Sequence, residues 1–506
     1  MKFRQLAGGT AFITIAFSGA AMADLTPEQV WSDWQAMSES WGQELTAEST
    51  TREGDALVVS GVKLVSDQPG TRVEGSIERF TFTGKGDGTV EITSSESYPM
   101  TIVTDTPAVE GEEPTGPVTV KLNLVQSGMV MTASGEPGNT RYDYTIPMLG
   151  LTLDDIETDQ GGDETVDLRV TANNVTGHYD LTGEARDMAS TLAADNLVML
   201  LNASNPTTGG SFAMNAELAK ITSSSTATAM GTMTSGNMAQ ALRDGFASLA
   251  ELHYESSTLG FDLAESGNTT KGSGTGGAGT LNVAMGEAGL SYGGSANDVQ
   301  MEVESSQLPF PLALAYDASS FDMLMPIVAG PDEQDWRLAS RLEGFTLSDN
   351  VWSLFDPGAV LPRDPATLVL DLSGKAMVDT DFMDPAQTEA MTEAPGEFNS
   401  VDVNELHLNI AGADLTGQGG VTLDNTDLET FPGFPAPTGK FDLRLVGGNG
   451  LIDKAVEMGF VPQDQALGAR MMLGMFARMV EGETDTMTST VEFKDKQLIV
   501  NGQRLQ

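Results

Sequence analysis

Apolar residues alternate with polar ones along most of the chain. In "ALVVSGVKLV" (56–65), "IERFTFTG" (77–84) and "TVEITSS" (89–95) they fall at every second position or in short clusters, punctuated by Gly54-Asp55, Gly61 and Gly86-Asp87-Gly88. This pattern predicts an antiparallel meander, because successive side chains on a strand point to opposite faces. The pattern returns in "VTVKLNLVQ" (118–126), "TRYDYTI" (140–146) and "TVDLRVTANNVTGHYDL" (165–181). Further strands are predicted within 361–379, 401–425 and 438–449, with a closing hairpin of 488–493 against 497–502. Two stretches fall outside the alternation. "TDTPAVEGEEPTGP" (104–117) is too rich in Pro, Gly and Glu for a strand interior and reads as an exposed loop, and "ESGNTTKGSGTGGAG" (265–279) reads as a long hairpin loop or a linker.

Elsewhere the period changes to that of a helix. "DLTPEQVWSDWQAMSESW" (24–41) places Val30, Trp34, Met37 and Trp41 on one stripe, with Trp31 at its edge. Thr26, Pro27 and Gln29 specify its start as N-cap, first-turn proline and capping-box partner. The opposite face offers Glu28, Asp33, Glu39 and Glu44 with no Lys or Arg, so the stripe is expected to dock on a sheet rather than on a membrane. A second helix is expected over 237–254, with Met238, Leu242, Phe246, Leu249 and His253 aligned. A helix pair follows at 450–460 and 463–480.

These elements predict an α+β, β-rich fold: extended or curved antiparallel sheets in two similar halves, capped by a few amphipathic helices. The expected organisation is a leader (1–23), a first helix-plus-sheet region (24–235) and a second (236–506) that ends in the helix pair and hairpin.

Composition adds an address. Residues 1–23 run from Lys2 and Arg4 through an apolar stretch to Ala21-Met22-Ala23, the order of a cleavable signal peptide, so a periplasmic location is expected with Asp24 as the mature N-terminus. No later stretch reaches about 18 uninterrupted apolar residues, so the chain is not expected to be integral to the membrane. The absence of cysteine removes disulfides and thiolate chemistry. Without Lys2 and Arg4 the chain has 24 basic against 72 acidic residues, a formal charge of −48, which argues against nucleic-acid binding.

The combination "FTLSDNVWSLFDPGAVLPRDPATLVLDLSG", "AGADLTGQGGVTLDN", "GLIDKAVEMGFVPQDQALGARMMLGMFAR" and "VNGQRL" resembles the exported bacterial proteins of domain of unknown function 2125. The resemblance is closest over 345–506, and 24–100 is also similar. It implies a periplasmic address and no assigned activity, ligand or catalytic residue.

Candidate chemistry is sparse. His178, His253 and His407 belong to no H-x-x-x-H or H-E-x-x-H spacing and read as ordinary surface histidines. There is no G-x-S-x-G elbow, no phosphate-binding G-x-x-x-x-G-K-[ST] and no dinucleotide fingerprint in a strand-to-helix setting, so no cofactor is expected. The enzyme chemistry left open is a carboxylate-based hydrolase. Asp154, Asp155, Glu157, Asp159, Asp163 and Glu164 surround a Gly-Gly turn and are the candidate Ca²⁺ ligands, with a solvated acidic hairpin tip as the alternative. Met471, Met472, Met475 and Met479 on the last helix read as core packing, with Cu(I) binding or an adaptable greasy site as alternatives. Two roles remain. One is a non-enzymatic envelope protein that holds a lipid or other apolar ligand in a β-sheet groove. The other is a structural or protein-interaction module with an envelope partner and no small-molecule ligand.

Overall fold

The computed structural model describes residues 24–40, 42–68, 70–104, 116–158, 165–183, 187–228, 238–384, 387–388, 391 and 395–505. The expected loop at 104–117 lies mostly outside these residues, as do Trp41 and the leader. Within the described residues the chain forms one 28-stranded antiparallel sheet with five helices: α1 (Pro27–Ser40), α2 (Met238–Arg243), α3 (Asp349–Phe355), α4 (Gly448–Glu457) and α5 (Gln463–Phe476). The β-rich architecture capped by helices is the one the alternation predicts. The ladder is continuous across residue 235, where Gly210–Ala227 pairs with both Ser248–Tyr254 and Ser256–Glu265.

Helix α1 starts as its residues require. The Thr26 amide donates to Gln29 Oε1 at 2.9 Å and the Gln29 amide donates back to Thr26 Oγ1 at 3.3 Å. Its apolar face lies on Val59, Phe80, Phe82, Ile92 and Tyr142. Trp34 meets Phe80 and Phe82 edge-on, with ring centroids 5.3 and 5.2 Å apart. The depth order differs from expectation. Trp31, placed at the edge of the stripe, is the more buried at 7% exposure, while Trp34 is partly buried. Val30 and Trp31 are the large apolar residues of the helix that are buried.

A seam of irregular residues crosses the long strands at matching register. Gly61 lies opposite Glu78, Gly128 opposite Pro147, Pro147 opposite Asn174, Asn174 opposite Asp195, and Asp195 opposite Lys220. The line continues through Glu255 and Gly277-Ala278, where strands break, to Asp298, Asp317 and Gly344. Gly61, Gly128, Asn174, Lys220, Asp298 and Gly344 all have left-handed backbone, with φ between 52° and 69°. A left-handed residue inside a strand turns the chain and breaks the alternation, as a bulge does.

The consequence is a parity switch. In Thr165–Thr182 the apolar residues are Val166, Leu168, Val170 and Ala172 before the seam, then Val175, Tyr179 and Leu181 after it. Gly210–Ala227 switches from Phe212, Met214, Ala216 and Leu218 to Ile221, and Leu312–Met325 from Leu312, Leu314 and Tyr316 to Phe321, Met323 and Met325. Switching parity where the sheet bends keeps both arms' apolar faces on the inside. Ile146, Val175, Ala194 and Ile221 from one arm pack in a single cluster with Leu149, Ala172, Leu197 and Leu218 from the other. The sheet is therefore creased into two walls with an apolar floor.

Three expectations are corrected. The helix expected over 237–254 ends at Arg243, and Ser248–Tyr254 is a strand. Gly245, with φ 99°, turns the chain at that end. Leu249 and His253 are four apart, a spacing that serves a helix stripe and one face of a strand equally. The Gly-rich stretch within 265–279 is not a loop or linker, because Asn268–Gly276 pairs on both sides. A Cβ on Gly272 would stand 2.1 Å from the Phe261 ring, so the glycine makes room for an aromatic ring on the neighbouring strand. The methionines of the last helix are not core. α5 ends at Phe476, and Met471, Met472, Met475 and Met479 are 58–68% exposed while Ala466 makes the buried contact.

Candidate functional site: an apolar crease

Register decides which side chains share a face, since directly paired residues point the same way. On the wall that also carries α1, Val283 pairs with Tyr292, Tyr292 with Met323, Met323 with Leu338 and Leu338 with Leu372. Phe321, Leu342, Leu368 and Leu370 occupy the same face. Leu281, Val283, Tyr292, Phe321, Leu338 and Leu368 are 37–44% exposed, a contiguous greasy strip over five neighbouring strands. The facing wall repeats the chemistry. Met199 pairs with Ala216, Ala216 with Leu259, Leu259 with Gly274, Gly274 with Met301, Met301 with Leu314 and Leu314 with Leu347. No charged residue occupies any of these inner positions.

The charges lie on the other face. Arg337 bridges Asp322 at 3.5 Å and Asp371 at 2.9 Å, Arg341 bridges Glu343 at 2.5 Å and Glu405 at 3.0 Å, and Arg141 joins Asp143 at 3.1 Å to Asp180 at 3.6 Å. Arg337 and Asn404 hold the Asp371 carboxyl below its ordinary range against the upward push of partial burial. This sorting lets an acidic chain solvate its exterior while keeping an uncharged interior lane.

Helices close parts of the lane. α1 covers the strands at its start, where Phe82 and Tyr142 are fully buried beneath it. α2 seals one rim, with Leu242 and Phe246 against Ile327 and Val328, and Met285, Leu290 and Met325 alongside. Arg243 of α2 pairs with Asp381, whose carboxylate also accepts the Ala329 amide at 2.8 Å. Burial pushes the Asp381 pKa up, but Arg243 and Ala329 outweigh it and the net shift is down. At the far end α4 is capped by Asp485, which accepts the Gly450 amide at 2.9 Å.

The sequence-derived candidates fare differently. Of the calcium set, Asp159, Asp163 and Glu164 lie outside the described residues. Asp155 pairs with Lys121 at 3.3 Å, Glu157 pairs with the same ammonium, and Asp154 accepts the Thr152 hydroxyl at 3.2 Å. Glu157 and then Asp155 raise the Lys121 pKa. Among the described residues no group of three or more His, Asp or Glu is placed to hold a metal ion. All three histidines are on the outer face: His178 contacts the Thr191 hydroxyl at 2.9 Å and His407 contacts Asp414 at 3.0 Å. His407 borders a concavity of about 570 Å³ with Glu405, Asp442 and Arg444, yet these are engaged by Arg341, Thr490 and Glu483. The crease itself was not legible as a set of residues, because its members change parity at the seam.

The family described as uncharacterized protein conserved in bacteria (DUF2125) matches residues 258–505, a stretch that includes the exposed strip and the helix pair. No curated protein matches the chain. No helix among the described residues is long and apolar enough to cross a membrane.

Proposed function

We propose, from the premise that residues 258–505 belong to the DUF2125 family, that this chain is an exported envelope protein which holds a lipid or similar apolar ligand in its creased sheet. The observation that carries this reading is the uncharged strip of Val283, Tyr292, Phe321, Leu338 and Leu368, left partly exposed on the inner face while the ion pairs of Arg141, Arg337 and Arg341 lie on the outer one. A sheet that only needed to bury itself would cover such side chains, each worth about 1.5–3 kcal/mol when fully removed from water. Ligand sites are typically concave and apolar with few polar groups, and the crease has that composition. Binding without chemistry also fits the engagement of His178 with Thr191 and of His407 with Asp414.

Export is supported by the leader-like residues 1–23. The test has two parts. Cell fractionation followed by N-terminal sequencing should find the protein in the periplasm beginning at Asp24. Organic extraction of that purified protein should release a lipid detectable by mass spectrometry, and a clean extract would remove the ligand-binding role.

A further inference from the structure

The crease does not simply run out at its end beyond Gly344. The facing wall stops at Leu347, and α3 and the turn 356–365 stand where it would continue. Asp356, 1% exposed, accepts the Val360 amide at 2.9 Å and the Leu361 amide at 3.0 Å, which fixes this turn. Together they enclose an apolar pocket of about 180 Å³ bordered by Phe345, Leu347, Trp352, Phe355 and Ile410. Phe345, Leu347 and Ile410 continue the inner faces of the two walls.

One cation enters this setting. Arg363 borders the pocket with its guanidinium 5.7 Å from the centre of the Trp352 ring. One terminal nitrogen donates to Asp349 at 2.5 Å, but that carboxylate is 88% exposed. The Arg363 Nε is buried and has no hydrogen-bond partner among the described residues. Leaving a charged donor buried without an acceptor is costly, and an incoming anion would remove that cost.

We propose that this pocket is the headgroup end of the ligand site and takes a carboxylate or phosphate borne on an apolar chain lying in the crease. The inference rests on the crease reading given above. Nε and the second terminal nitrogen of a guanidinium form the fork that matches such an anion, and charge-assisted bonds are about twice as strong as neutral ones. Asp349 and Asp364 are the acidic neighbours that compete with the ligand for this cation.

The experiment is a fluorescence titration of the purified, delipidated full mature chain with parinaric acid and with its methyl ester. The acid should bind about tenfold more tightly, the weight of one hydrogen bond to a charged group. Arg363→Gln should abolish that preference, so that acid and ester bind the variant equally. Asp349→Asn, which frees the guanidinium, should strengthen acid binding and leave the ester unaffected, and this arm stands even if Arg363→Gln misfolds. Repeating the titration by competition with lysophosphatidic acid and monoacylglycerol distinguishes a phosphate from a carboxylate preference. Equal affinity for charged and neutral probes in the wild type would overturn the headgroup site and leave the crease reading intact. If no probe binds, the crease reading falls and the headgroup site falls with it.

Discussion

Lys220 holds a left-handed backbone that costs an L-residue about 1 kcal/mol, and Asp195 stands opposite with its carboxylate 2.7 Å from the ammonium. That exposed ion pair contributes little, because water and salt screen it. Lys220→Gly should therefore be close to neutral in urea unfolding, with the relief of backbone strain offsetting the lost pair. Gly344 is the opposite case. Its φ is 69° and a Cβ would stand 2.1 Å from Asp317 Oδ2, so Gly344→Ala should cost about 1–3 kcal/mol by the same measurement. Asp381 gives a pH dependence. Its folded pKa lies below its ordinary value of 3.8, so its stabilisation is complete above that value and is lost as the pH falls through the folded pKa. Asp381→Asn should lose about 2 kcal/mol at neutral pH, and the gap from wild type should close in acid unfolding titrations as the pH falls through the folded pKa of Asp381.

Helices and strands show which patterns a sequence reveals. The capping box of α1 and the period-two runs were legible because each depends on neighbours in the chain. The end of α2 was not, since Leu249 and His253 satisfy both periods and only strand pairing on both sides of Ser248–Tyr254 decides between them. Nor was the strand nature of Asn268–Gly276, where Gly272 answers to Phe261 on a different strand. Helix α5 shows the same limit. Its methionine stripe has the periodicity of a core face, yet exposure is set by what lies opposite. Met471→Gln and Met475→Gln should each change stability by less than about 0.5 kcal/mol, whereas Trp31→Ala on α1 should cost about 3–5 kcal/mol, both read from thermal or urea melts.

At the scale of the whole molecule, the seam turns a broad antiparallel sheet into a creased one. Asn174 and Asp298 are types that tolerate a left-handed backbone but also occur throughout the chain, and Lys220 carries no such mark, so residue type alone does not pick them out as corners. The trace they leave is the shift of apolar residues from even to odd positions, visible once the strands are aligned. Parity switching keeps both inner faces apolar, and the ion pairs on the outer face leave an uncharged lane within a highly acidic chain. The proposed ligand-binding role depends on that separation of faces more than on any single residue.

The most direct test places a photo-crosslinking amino acid at Leu338 on the inner face or at Ala339 on the outer face of the same strand, irradiates cells, and weighs the purified protein by mass spectrometry. A ligand held in the crease should give a lipid adduct at position 338 and none at 339. Absence of an adduct at both positions, or equal adducts at both, would contradict that placement.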